Sequence, residues 1–298
     1  MDEFLRLCIA GLALGSQYAL IVLGFVVIYR ATGVVNFAQG GFVVLGAYLA
    51  YNAHNTWDLP FALAVIVAML GGALVGVVVE RLILRRMVGQ PVFAVIMITI
   101  GLYYILEQIV PSIWGPQNLN LGDPWGIQVK SLGDIQVAVK DLWTIALAAA
   151  ALLAFFLLFR YSKIGVAMRA TALDQEAALA QGISARRIFA ISWGIAGAVA
   201  ALAGVTQAAG SIQVRPTLGL VALLAFPAMI LGGLDSPGGA VLGGIIIGVT
   251  QTLTAGYQDD FFPWLGDGFN SVMPYVVMVV ILLVRPFGLF GTKEVRRV

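Results

Sequence analysis

The sequence predicts an all-α fold, a polytopic membrane helical bundle, and three observations carry that prediction. Of 298 residues, 60% are hydrophobic and only 11% are charged, with a mean hydropathy of +0.96, whereas soluble chains carry about a quarter charged residues. Nine stretches without Asp, Glu, Lys or Arg follow one another: Leu7 to Tyr29, Ala31 to Trp57, Leu59 to Val79, Met87 to Leu106, Leu142 to Phe159, Ile188 to Val214, Pro216 to Leu234, Ser236 to Gln258 and Gly268 to Val284. Small residues recur at four-residue spacing inside several of them. Crossing about 30 Å of hydrocarbon takes roughly 17 to 25 apolar residues at about 1.5 Å each, so about nine transmembrane segments are expected, within a range of eight to ten.

The first stretch follows an acidic start, Met1, Asp2 and Glu3. A cleavable signal peptide has a basic start and a shorter apolar run, so this stretch is expected to stay as the first span. Pro227 interrupts Pro216 to Leu234, which is therefore expected to be either a broken span or a re-entrant piece. The connecting segments sort the charges. Alternation through nine spans puts Arg30, Arg81, Arg85, Arg86, Arg160, Lys163, Arg169, Arg186, Arg187, Arg285, Lys293, Arg296 and Arg297 on one side. Arg6, Lys130, Lys140 and Arg215 fall on the other, together with Asp58, Asp123, Asp134, Asp141, Asp259, Asp260 and Asp267. Cationic flanks stay in the cytoplasm, so the expected orientation has the N-terminus outside and the C-terminus cytoplasmic. Trp57, Trp114, Trp125, Trp143 and Trp264 fall near the expected outer boundaries and read as interfacial anchors.

Gly11 and Gly15, Gly72 and Gly76, Gly239 and Gly243, and Gly244 and Gly248 are each four apart, and Ala196, Ala200 and Gly204 continue the spacing. Such pairs make grooves in which two helices approach closely, and in lipid that contact is a main source of association. They are the expected helix-packing residues of a tight bundle. Gly40 to Gly46 also resembles Gly238 to Gly243, an echo expected of transporter folds built from inverted or internal repeats.

The longest charged loop, about 160–187, holds Ala170 to Gln181, a run of helix formers with Asp174 and Glu176 early and Gly182 placed as a C-cap. It is too polar to span. With Ala177, Ala178 and Leu179 exposed it would offer a docking surface to a soluble partner; an ordinary connecting helix packed on its own bundle is the other reading.

The residues of this loop, Gly165-Val-Ala-Met-Arg-Ala, Asp174, Ala177-Ala178 and Gly182-Ile183, resemble the permease subunits of branched-chain amino acid ABC importers, the LivH type within the binding-protein-dependent group that also holds ribose-type permeases. Val34 to Phe42 with Leu45 to Tyr48, Glu80-Arg81-Leu82, Thr99 to Leu102, Trp114-Gly115-Pro116, Leu231 to Gly244 and Arg285 to Gly291 match the same pattern in order. The resemblance implies a single transmembrane permease domain over 1–298 in a bacterial cytoplasmic (inner) membrane. It also implies a second, homologous permease subunit, making a hetero- or homodimer, two cytoplasmic ATPase subunits, and an extracytoplasmic solute-binding protein. Gly165, Arg169, Ala170, Asp174, Ala177, Ala178, Gly182 and Ile183 would then form the ATPase-coupling loop. Against the family pattern, Gln39 replaces a common His, Gly41 a Glu, Asp235 a Gly and Gln251 a Glu. These departures bear on substrate, so urea, short amides or another small organic solute stand beside branched-chain amino acids.

The chemistry absent from the sequence agrees with transport. There is no G-x-x-x-x-G-K-[ST] motif, so ATP is expected on partner subunits and no cofactor on this chain. One cysteine, Cys8, and one histidine, His54, exclude an intrachain disulfide and multi-thiolate or His-pair metal sites. A net charge of +2 leaves no basic face for nucleic acid. Polar groups within spans are costly and tend to face a bundle interior or a watery path; Asn36, Gln39, Thr99, Glu107 and Gln251 are the candidate path residues, with Gln17 and Gln207 further polar positions. Asn36 and Gln39, three apart, are expected on one helical face near the cytoplasmic end of the second segment, and Glu80 and Arg81 as a surface pair. Hydrogen bonding between helices is the plainer role for all these amides and hydroxyls, and for Glu107, shortly before Pro111 and Ser112, solvation at the outer interface is the other reading. An autonomous channel or carrier remains an alternative class, whereas an intramembrane enzyme lacks paired carboxylates or a Cys-His or Ser-His set.

Overall fold

The computed structural model describes residues 2–291 except 116, 126–127, 133–134, 210–212, 262 and 267. Pro116, Asp134, Asp267, Lys293, Arg296 and Arg297, used above, lie outside the described residues.

Two long helices make the centre. Helix α1 (Asp2–Thr32) carries Asp2 and Glu3 in its first turn and Arg30 in its last, charges that complement the helix dipole. Helix α8 (Ala185–Ala208) is rich in alanine and glycine, and both helices bury 83% of their most apolar stretch inside the bundle. Around them stand α2 (Gln39–Tyr51, prolonged by a π-turn over Asn52–Thr56), α3 (Phe61–Leu82), α4 (Val92–Trp114) and α5 (Val139–Tyr161). The loop helices α6 (Lys163–Leu173) and α7 (Gln175–Ala180) follow α5. After α8 come α9 (Val221–Gly232), led by a 3-10 turn at Pro216–Leu220, then α10 (Pro237–Phe261) and α11 (Met273–Val284). The most apolar stretches of α4 and α5 are only 17% buried, so these helices face outward. A short antiparallel hairpin, β1 (Val129–Leu132) with β2 (Ile135–Ala138), pairs Val129 with Ala138. It is a small exception to an otherwise helical bundle.

Among the described residues, six helices are long and apolar enough to cross a membrane: α1, α3, α4, α5, α8 and α10. The other three expected segments are shorter helices, so the expected nine are not nine full-length spans. The break before α2 has a visible cause. The Gln39 side chain donates from Nε2 to the Ile21 carbonyl (3.5 Å) and the Ala196 carbonyl (3.3 Å), so α2 begins beside Ile21, roughly 16 Å along α1 from Thr32 at 1.5 Å per residue. Residues 33–38 therefore run back into the bundle without regular structure, which is tolerated at such depth when the backbone is enclosed by protein. Gly40 and Gly219 meet there, each filling the space a Cβ on the other would need.

The four-spaced glycines all lie at helix crossings. Gly11 and Gly15 face Gly244, Ile245, Gly248 and Val249 across the α1–α10 seam. Gly72 and Gly76 lie against the Gly197 and Trp193 carbonyls of α8, while Gly239 and Gly243 lie against Gly232 and Ala228 of α9. Gly204 of α8 meets Val43 of α2, and Ala196 and Ala200 are buried beside it. The two echoing glycine stretches open α2 and α10 respectively.

At one end of the bundle Arg30 and Arg169 share the Phe159 ring, and Arg85 and Arg186 line one groove. At the other, His54 donates from Nδ1 to the Leu59 carbonyl (2.8 Å) and packs edge-on to Phe61, which meets Trp125, itself stacked on Trp143. These are the cationic and aromatic ends below.

Candidate functional site

Three of the five candidate path residues come together at the break before α2. Asn36 accepts from the Ala38 amide at Oδ1 (3.0 Å) and donates from Nδ2 to Gln39 Oε1 (3.4 Å). Thr99 Oγ1 accepts from the Phe37 amide (3.2 Å) and donates to the Ile96 carbonyl (2.8 Å). All three side chains are buried. Asn36 precedes α2 rather than sharing a helical face with Gln39, because its carboxamide caps the turn that re-enters the bundle; and Gln39 sits deep beside Ile21 rather than near the helix-bundle surface.

Thr99, Tyr103 and Glu107 recur every four residues and so share one face of α4. The Tyr103 hydroxyl donates to Glu107 Oε1 (3.5 Å). Two cavities flank this stripe. One, of about 180 Å³, opens at the cationic end and includes Thr32, Asn36, Glu80, Gln90, Thr99 and Gln175 among its walls. The other, of about 160 Å³, is apolar and lies between α1, α2, α4 and α9, walled by Phe25, Phe37, Tyr103, Tyr104, Leu223 and Phe226. Asn36 and Thr99 belong to the first, and their chain neighbours Phe37 and Ile100 to the second. The partition is thus one layer of residues thick and is held by the Phe37 amide on Thr99. Gln251 lines neither cavity; it accepts from the Tyr18 hydroxyl (2.7 Å) in the α1–α10 seam.

At the cationic end, Asp174 breaks the expected continuous loop helix in two. Its φ of −157° and ψ of 111° end α6, and Oδ1 accepts from the amides of Glu176 (2.9 Å) and Ala177 (3.0 Å) to cap α7. Gly182, at φ 80°, closes α7, with the Ile183 amide returning to the Ala178 carbonyl (3.0 Å), the left-handed C-terminal geometry glycine provides. Ala177 and Leu179 are exposed as expected, but Ala178 turns inward and is buried. Leu173, at the break, is 85% exposed; its neighbours in sequence hide it within an ordinary helical run.

Gly165 leaves no room for a Cβ against the Phe159 carbonyl. Arg169 donates from Nη1 to that same carbonyl and lays its guanidinium over the Phe159 ring, 5.3 Å from the centroid. Arg30 lies over the same ring at 5.4 Å. Phe159 thereby ties α6 and α5 to the end of α1. Ala170, beside Arg169, is half-buried. Glu80, nearly fully buried, pairs with Arg85 rather than with Arg81, through Nε to Oε1 (3.3 Å) and Nη2 to Oε2 (2.9 Å). The chain turns back through Leu84–Met87 and brings the guanidinium over the carboxylate in a bidentate pair. Beneath it a groove of about 720 Å³ runs between Glu80, Arg85 and the α7–α8 turn.

Compared with known families, residues 7–283 match the model described as "Branched-chain amino acid transport system / permease component". The chain belongs to this family. As a branched-chain amino acid permease component it is a multi-pass transport subunit and not an enzyme. It is 30% identical to the "High-affinity branched-chain amino acid transport system permease protein LivH" of Salmonella typhimurium, over 99% of this chain and 98% of that one. It is 28% identical to the permease protein BraD of Pseudomonas aeruginosa with the same coverage, and 27% identical to the nucleoside ABC transporter permease protein NupB of Lactococcus lactis over 69% of this chain and 59% of that one. Within this permease component, Phe37, Tyr103, Phe226 and Tyr18 were not among the residues singled out by sequence. Aromatic residues are common in apolar helices, and only the fold gathers Phe37, Tyr103 and Phe226 from separate elements around one pocket and sets Tyr18 on Gln251.

Proposed function

We propose that this chain is the permease subunit of an ATP-driven importer of branched-chain amino acids. The observation that carries the reading is similarity along nearly the whole chain to relatives named for that transport system. In this reading the chain is one permease domain in the bacterial cytoplasmic membrane. The cationic end faces the cytoplasm, with the N-terminus outside and the C-terminus inside, and a second permease, two ATPases and an external binding protein complete the assembly. ATP is bound and hydrolysed on the ATPases. Asn36, Gln39, Thr99 and Glu107 belong to the path, Gln251 to its supporting seam, and Arg169 to Ile183 to the coupling face. Solute passes when rigid bodies rock about the break before α2. The similarity to NupB makes a nucleoside the second substrate class to test.

The test is reconstitution of the chain with the second permease and ATPases in vesicles, supplied with binding protein carrying radiolabelled leucine. Leucine should accumulate only when ATP is present on the ATPase side. Uptake by this chain alone down a gradient would sink the reading in favour of a channel or carrier, and uptake of uridine but not leucine would move the substrate class.

A related expectation concerns the docking face. Leu173→Asp places a charge where an apolar side chain stands almost wholly in water, and central apolar anchors carry much of an interface's energy. Recovery of the ATPase with the affinity-tagged permease should fall roughly tenfold, equivalent to about 1.4 kcal/mol, with membrane insertion unchanged. Full recovery of the ATPase would remove Leu173 from the interface.

A further inference from the structure

We propose that the aromatic pocket is where this chain holds the solute in transit: its rings take the branched side chain, and Glu107 takes the ammonium group. The proposal rests on the importer reading and names the chemistry of its site.

Three observations converge on it. The pocket's six principal walls, Phe25, Phe37, Tyr103, Tyr104, Leu223 and Phe226, offer apolar surface around about 160 Å³, and an apolar cavity of about 150 Å³ accepts a group the size of benzene. A branched aliphatic side chain fits that space. Next, Glu107 is a carboxylate within an apolar helix, and among the described residues its one polar partner is the Tyr103 hydroxyl at 3.5 Å, with no cation in salt-bridge range. The carboxylate is half-exposed, so a charge of opposite sign can reach it and finds an acceptor without a counter-ion of its own among the described residues. A solute bearing an ammonium supplies that charge; a dicarboxylate or other anion is repelled. Finally, the two features stand at the right separation. Tyr103 belongs to the pocket wall and Glu107 lies one turn further along α4, about 6 Å at 1.5 Å per residue, comparable with the span of an amino acid from its ammonium to its side-chain tip.

The position also suits passage. Glu107 and Tyr103 lie on the aromatic-end side of the partition, and Thr99 lies at the partition itself, with the polar cavity of the cationic end beyond. A solute seated against Phe37 thus presses on the residue whose amide is tied to Thr99. The pocket opens past Tyr104 and Leu223, both more than half exposed, so a lipid acyl chain is the competing occupant.

The test uses the full reconstituted importer with radiolabelled valine, leucine and phenylalanine. Glu107→Gln should lower leucine uptake at least tenfold, with Glu107→Asp restoring part of it. Phe226→Ala enlarges the pocket and should shift the ratio of phenylalanine to valine uptake about tenfold toward phenylalanine, the scale on which hydrophobic pockets discriminate by size. Assembly is read separately by co-purification of all subunits. Should either variant fail to assemble, Glu107→Asp and Phe226→Leu carry the same comparison with smaller shifts of the same sign. Wild-type uptake of leucine with unchanged rate and unchanged size preference in the assembled variants overturns the site and leaves the importer reading standing; that is also the result an acyl-chain pocket would give. Absence of wild-type leucine uptake overturns both.

Discussion

Gly248→Leu is expected to abolish accumulation of the folded protein. A Cβ at Gly248 would collide with the backbone nitrogen and Cα of Gly15 and lie 2.7 Å from the Gly11 carbonyl oxygen. Gly15 in turn has Ile245 Cα at 2.7 Å and the Gly244 carbonyl at 2.9 Å from its own Cβ position. Every one of these neighbours is backbone, so no rotamer change relieves the clash, and α1 and α10 would have to separate along their whole seam. Overpacking where neighbours can shift costs about 1–3 kcal/mol; here close approach is itself the attraction between the helices, so it is lost as well. Monodisperse protein recovered in detergent should fall at least tenfold. Gly101→Leu supplies the control, since a Cβ there meets nothing within 4 Å, and its recovery should match that of the parent. Equal recovery of Gly248→Leu would show that the α1–α10 seam has room the structure denies.

Arg169→Ala is expected to separate ATP hydrolysis from transport. The Arg169 guanidinium makes two attachments at once, a hydrogen bond to the Phe159 carbonyl and a cation–π contact with the Phe159 ring, and the same ring receives Arg30 on α1. Cation–π contacts contribute about 0.5–2 kcal/mol, and a hydrogen bond from a charged donor about 1.5–3 kcal/mol. Without them α6 keeps its own turns and the Gly165 and Met168 packing on α5 and α1 but loses its charged tie to Phe159, so movement imposed on the loop reaches the central helix less directly. In the reconstituted importer, leucine uptake per ATP hydrolysed should drop at least tenfold while the subunits still assemble. Arg169→Lys retains the charge without the planar fork and should fall between the two. A normal ratio of uptake to hydrolysis in Arg169→Ala would exclude this route of coupling.

The long spans were legible because exclusion of charge over twenty residues is a signal that tertiary packing cannot erase; α3, α5 and α10 stand where the uncharged stretches place them. The second segment was not. From Ala31 to Trp57 hydropathy is continuous, yet the chain leaves the helix at residues 33–38 because Gln39 finds carbonyls on α1 and α8 and Asn36 caps the turn. Those partners are distant in sequence. Asp174 shows the opposite kind of miss: helix formers on both sides outweighed a side chain whose local capping chemistry ends one helix and starts another. The ion pair followed the same pattern, since adjacency favoured Arg81 for Glu80 while the tight turn delivered Arg85. Glycine spacing announced close helix contacts, but which groove receives which helix depends on the whole arrangement; that Gly11 and Gly15 meet Gly244 and Gly248 has no local signature. Among the path candidates, Asn36, Gln39 and Thr99 share one cluster, whereas Glu107 stands one turn from a pocket whose rings come from α1, the break before α2, α4 and α9.

The segment after α11 bears on how the protein is made. Leu231 and Gly232 end α9 with carbonyls that no later turn of their own helix can satisfy, and the amides of Leu289 (2.8 Å) and Phe290 (3.3 Å) supply those hydrogen bonds, with Gly288 and Gly291 seated against Ile230 and Gly233. These donors leave the ribosome nearly sixty residues after the carbonyls they serve. Until then these carbonyls have only solvent to accept from, so the contacts that pin the end of α9 form late. A segment made well after α9 thus closes on its end, and a chain clipped before Leu289 would leave the Leu231 and Gly232 carbonyls to solvent.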